Sequence, residues 1–147
     1  MSGEVQEDIR GMMAEAGYSE KAITYVLKGE QLGTLENPDQ VTTVKGPCGD
    51  TMKISLKLNG NKIKDAKIEV LGCPGAVASA CAVIELAKDK RLEEAEAIDL
   101  EALYKQVEKL PDQKLHCAKL ALMTLKKAIR EYREKRDKKA HETSQKH

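Results

Sequence analysis

The chain has 147 residues, 41% of them apolar and 33% charged, enough for one modest core and too apolar for a disordered chain. Its 25 Lys and Arg nearly balance its 24 Asp and Glu, which leaves no overall basic field for nucleic acid or an anionic membrane. No segment approaches the roughly 20 continuous apolar residues that span a bilayer, and the acidic start, Met1 to Asp8, has no apolar signal core. We therefore expect a cytoplasmic chain whose four cysteines act as thiols or metal ligands rather than as disulfides.

Ile9, Met12, Met13 and Ala16 recur at helical spacing, so residues 1–17 read as a helical extension ended by Gly17. Ser19 is placed to cap a second helix carrying Ala22, Ile23, Val26 and Leu27, which Gly29 stops. Residues 33–45 read as a loop followed by a short edge strand, Val41 to Val44. Next, Met52, Ile54, Leu56 and Leu58 alternate with Thr51, Lys53, Ser55 and Lys57, a strand with one buried and one wet face. Asn59-Gly60-Asn61 makes a turn, and the return strand runs from Lys62 to Leu71. Ala66, Ile68 and Val70 alternate there, with Ile63 out of phase, which points to a bulge near Asp65.

After Cys73, the stretch Ala76 to Ala87 is apolar on most sides and reads as a central helix, with Pro74 in its first turn. A short helix follows around Leu92 to Ala95, and Asp99 caps another. The last helix is expected to begin near Asp112 and to bury Leu115, Ala118, Ala121, Leu122, Leu125, Ile129 and Tyr132. From Lys126 to Lys139 it carries eight Lys or Arg against three Asp or Glu. That is either a solvated helix end or a docking surface for an acidic partner. Residues 18–139 read as one domain, and residues 140–147 as a disordered tail.

The chemistry lies in three stretches: Gly46-Pro47-Cys48-Gly49-Asp50, Leu71-Gly72-Cys73-Pro74-Gly75 and Lys114-Leu115-His116-Cys117. An isolated cysteine in a reducing compartment is more often a packed core residue than a ligand. Position argues otherwise for Cys48, Cys73 and Cys117. If Leu58 and Lys62 flank the turn, antiparallel pairing sets Asp50 opposite Val70 and Cys48 opposite Gly72, next to Cys73. Cys48 and Asp50 also share the register of Met52 and Ile54, so both side chains point to the covered face. Cys73 precedes the central helix, whose free N–H groups favour a thiolate, and Cys117 should feel a weaker version of the same effect. His116 and Cys117 are consecutive, so on a helix they point about 100° apart and read as alternative ligands. Cys81, with Val77 and Ile84 at core spacing, reads as packing.

Pro47-Cys48-Gly49-Asp50, Gly72 to Ala76 and Lys114 to Cys117 together resemble the NifU/IscU-type iron–sulfur cluster scaffold family, over roughly residues 18 to 135. The resemblance implies an α+β fold, a small antiparallel sheet of about three strands packed against several helices. It implies that Cys48, Cys73 and Cys117 hold a transient [2Fe–2S] cluster, with Asp50 or His116 completing the coordination. It further implies a cysteine desulfurase that delivers persulfide sulfur to Cys117, separate iron and electron donors, and apo iron–sulfur proteins as recipients. Zinc can occupy the same ligands, and a homodimer is compatible with this set. The family's Leu-Pro-Pro-Val-Lys stretch, which a chaperone recognises, reads Leu110-Pro111-Asp112-Gln113-Lys114 here, which weakens the implied dependence on a chaperone. On this reading the chain is a scaffold and not an enzyme. A persulfide relay would need one exposed thiol rather than three with Asp50, and a structural zinc site would normally show closely spaced ligand pairs.

Overall fold

The computed structural model describes residues 3–47, 49–111 and 114–145, so Cys48, Asp112 and Gln113 lie outside the described residues. The elements run α1 (Gly3–Glu15), α2 (Glu20–Lys28), β1 (Gln40–Lys45), β2 (Thr51–Asn59), β3 (Lys62–Leu71), α3 (Pro74–Ala87), α4 (Leu92–Glu96), α5 (Leu100–Val107) and α6 (Leu115–Gln145). Among the described residues the strands form one antiparallel sheet in the order β1-β2-β3. This is the α+β arrangement expected, with an N-terminal helix added.

The local signals that sequence offered are realised by specific bonds. Ser19 accepts from the Ala22 backbone N–H and so caps α2, while Gly29 ends it in the left-handed region at φ 59°. Asp99 accepts from Ala102 N–H and caps α5. In the β2–β3 hairpin, Leu58 pairs with Ile63 but Lys57 pairs with Asp65, so Lys64 is the extra residue of a bulge. This returns Ile63 and Ala66 to the same buried face, although their numbers differ by three.

The register differs from the simple count. Asn59 pairs with Lys62, which makes the turn Gly60-Asn61, and beyond the bulge Thr51 stands opposite Leu71 and Met52 opposite Val70. The pairing is thus shifted two residues from the expected Asp50–Val70 match, which carries Asp50 toward Gly72. One residue of shift comes from the two-residue turn and one from the bulge.

One face of the sheet is the core. Met52, Ile54, Leu56, Ile63, Ala66 and Ile68 are fully buried against α3 and α6. Each large aliphatic side chain buried this way contributes about 1.5–3 kcal/mol. α3 is nearly all Ala, Val and Ile inward, and its small side chains let the sheet and α6 approach closely. A second cluster, Met13, Tyr18, Ala22, Ile23 and Ala78, fastens α1 and α2 to α3.

Three features depart from what the residues alone suggest. β1 turns Gln40 and Thr42 inward and leaves Val41 exposed, the reverse of what hydropathy suggests. The reason is a polar chain in which Gln40 Nε2 donates to Thr42 Oγ1, and Thr42 donates to Glu131 of α6 at 2.7 Å. Leu115, expected in the core, is exposed at the start of α6. Finally, the backbone of residues 140–145 is helical, where an unstructured tail was expected. No Gly or Pro interrupts the chain after Pro111, so nothing intrinsic stops the helix there.

Candidate metal centre

Three elements bring chemically active groups together at one end of the sheet. The first is the turn between β1 and β2. The Gly46 N–H donates to the Asp50 carbonyl at 2.7 Å, and Gly49 N–H donates to the Gly46 carbonyl at 3.1 Å. Gly49 sits at φ 89°, where a side chain would be strained, so glycine is needed to return the chain and present Asp50. The second is the β3–α3 junction. Cys73 is the N-cap of α3, in extended backbone at φ −75°, ψ 168°. The third is the first turn of α6, with His116 exposed and Cys117 buried.

The distances define one cluster. Cys73 Sγ lies 3.7 Å from Cys117 Sγ. The Cys117 thiol faces Asp50 Oδ2 at 3.8 Å and His116 Nε2 at 3.5 Å. Ligand atoms of Asp50, His116 and Cys117 all fall within 4.8 Å of one another. The long imidazole arm therefore reaches the spot that the Cys117 thiol occupies, despite the angle between consecutive helical residues. Cys48 lies outside the described residues. Cys81 is fully buried, with its thiol pushed up to about 12 by burial, and it stands apart in the core.

The two contacting thiols differ in acidity. Partial burial disfavours the Cys73 thiolate. The Ala76 backbone N–H, the Cys117 thiol and the Lys114 ammonium outweigh that, and its pKa is lowered. Cys117 goes the other way. Burial, followed by contact with Cys73 and the negative charges of Cys73 and Asp50, pushes it up to about 12. The weak lowering expected for Cys117 is thus reversed, because its side chain is fully buried in the first turn of α6, and burial outweighs the helix-end effect.

Two glycines and a lysine complete the site. A Cβ on Gly72 would stand 3.0 Å from the Asp50 carboxylate, so the missing side chain makes room for that group. A Cβ on Gly75 would meet Lys114 Cγ at 2.9 Å, so Gly75 lets the lysine stem lie across the start of α3. Its ammonium, bonded to Cys73, has its own pKa raised. Sequence reasoning gave Lys114 no role. The available signal was its position two residues before His116, in a stretch already singled out.

These features can be set beside known proteins. A sequence profile described as NifU-like N terminal domain matches residues 17–139. The chain belongs to that family. It is 38% identical over 122 residues to "Iron-sulfur cluster assembly scaffold protein IscU 1" of Archaeoglobus fulgidus, covering 82% of this chain and 80% of that one. It is 39% identical over 127 residues to "Iron-sulfur cluster assembly scaffold protein IscU" of Escherichia coli K12, covering 83% and 98%. In fold it is similar to the N-terminal part of a nitrogen-fixing NifU-like protein from Brucella abortus. That match has TM-score 0.66 and 24% identity, over 84% of this chain and 99% of that one. α1 lies outside the stretch that matches the family profile. Among the described residues, no helix is long and apolar enough to cross a membrane.

Proposed function

We propose that this NifU-like domain is a scaffold on which an iron–sulfur cluster is assembled and from which it is handed to apo-proteins. The observation that carries the reading is the meeting of Cys73, Asp50 and His116, brought from three chain-distant segments, around the Cys117 thiol at 3.5 to 3.8 Å at one end of the sheet. Thiolates, an imidazole and a carboxylate are a donor set suited to iron–sulfur clusters and to zinc. Cys48 joins them as a third thiolate on the strength of its place in the Pro-Cys-Gly-Asp turn.

In this reading a [2Fe–2S] cluster is cargo. Cys48, Cys73 and Cys117 supply thiolates, and Asp50 or His116 completes the set. A mixed ligand set binds less tightly than four thiolates would, which suits a site that must release what it builds. A cysteine desulfurase supplies sulfur as persulfide: Cys117, once deprotonated, takes the outer sulfur and releases the desulfurase thiolate, and each sulfane sulfur then takes two electrons from an external donor to become sulfide. Cys117 is the protonated thiol of the pair, and metal entry displaces thiol protons. Iron donors and apo iron–sulfur proteins complete the partner set, in a reducing compartment such as the cytoplasm.

The test is anaerobic incubation of the metal-free protein with desulfurase, cysteine and ferrous iron, followed by visible absorption and transfer to an apo-ferredoxin. A cluster band that moves to the ferredoxin is the expected result. Stoichiometric zinc that iron cannot displace, with no cluster band, would instead make this a structural metal site.

A further inference from the structure

α1 and α6 carry complementary stripes on faces that their own fold leaves open. On α6, Lys119, Met123, Lys126, Lys127 and Arg130 border a groove of about 520 Å³, floored in part by Val44 and Leu122. Met123 is 57% exposed at its centre. Among the described residues, none of those four cations forms an ion pair with a carboxylate, whereas Arg133, one turn further on, is paired with Glu93 and Glu96. On α1, Glu4, Asp8 and Glu15 are exposed, their side chains take no ion pair among the described residues, and Met12 between them is 70% exposed.

The spacings match. Glu4, Asp8, Met12 and Glu15 fall at i, i+4, i+8 and i+11, one stripe of a helix, and Lys119, Met123, Lys126 or Lys127, and Arg130 fall in a second stripe of the same length. Each spans about 16 Å at 1.5 Å per residue. Laid antiparallel, Glu15 meets Lys119, Met12 meets Met123, Asp8 meets Lys126 and Lys127, and Glu4 meets Arg130. The whole chain is near neutral, at +1, so two copies approach without net repulsion while the segregated charge steers them.

We propose that α1 of one copy docks antiparallel in the α6 groove of a second copy, with Met12 against Met123 as the apolar anchor. A single helix pair buries less than a stable interface needs, so the association is weak and depends on concentration, and reciprocal contacts about a two-fold axis would double it. The orientation also has a consequence for the site. Glu15 lies two residues before Gly17, which approaches Pro111 beside one copy's metal centre, and Lys119 follows Cys117 of the other by two residues. Docking therefore brings both centres to the same end of the contact. An acidic foreign protein fits the groove's charge too, but this chain already carries a helix of the right spacing.

Sedimentation velocity on the full chain, with a chelator present to exclude metal-bridged dimers, tests this. A concentration-dependent dimer that dissociates as salt rises is expected. Lys126→Glu with Lys127→Glu, or Asp8→Lys with Glu15→Lys, should each raise the dissociation constant at least about tenfold, because both replace attraction with like-charge contact. Mixing the two charge-reversed variants should restore a heterodimer. Met12→Ser should weaken the dimer without changing its salt dependence. A wild type that stays monomeric at every concentration overturns the proposal, as does a dimer that the charge reversals leave intact. A monomer that instead binds duplex DNA or anionic vesicles through Lys126 and Lys127 overturns it as well.

Discussion

Cys73 and Cys117 touch across 3.7 Å, yet the first gives up its proton more readily than an ordinary cysteine and the second far less so. Since the thiolate is the nucleophile, alkylation of the metal-free protein near neutral pH should modify Cys73 ahead of Cys117 and Cys81. Rates followed by mass spectrometry against pH give the order directly. Lys114→Met should move the Cys73 alkylation profile to higher pH, because it removes the ammonium bonded to the thiolate. Gly75→Ala should act in the same direction, since the added methyl would stand 2.9 Å from Lys114 Cγ and displace that stem. Asp50→Ala should slow cluster release to an apo-ferredoxin more than it slows assembly, measured as separate rates. Release at the parent rate would remove Asp50 from the role assigned to it.

At the scale of elements, junctions hold the site's supports together. Ser19 caps α2 and also donates to the Val107 carbonyl at the end of α5, while its own N–H donates to the Lys109 carbonyl. Ser19→Ala should cost about 0.5–2 kcal/mol, the usual range for such a cap, read as a lower urea midpoint with an unchanged slope. Caps of this kind were legible in the sequence at Ser19, Gly29 and Asp99, because a cap depends on a few adjacent residues. The inward Gln40 and Thr42 of β1 were not, since their partner Glu131 sits 89 residues away from Thr42 on another helix.

For the molecule as a whole, the two apolar clusters differ in what depends on them. Ile54 is fully buried where β2 meets the helices, so Ile54→Ala should cost about 2–5 kcal/mol in thermal or urea unfolding. Met13 belongs to the smaller cluster that fastens α1. Met13→Ala should free α1, seen as faster amide exchange over residues 3–15, while protection of β2 and β3 is retained.

What the sequence determined by itself is the periodic and the local. The alternation of Met52 to Leu58, the bulge announced by Ile63, the caps and the three cysteine stretches all depend on residues close in the chain. The register already carried Asp50 toward the β3–α3 turn, though two residues off, since the turn and the bulge each contribute one residue of shift. Only the tertiary structure decided that Cys117 would be buried against Cys73 and Asp50, and that Lys114 would lie across Gly75. It also decided which thiol is acidic. Burial and the field of neighbours brought from distant segments set a pKa, and neither can be read from the residues on either side of a cysteine.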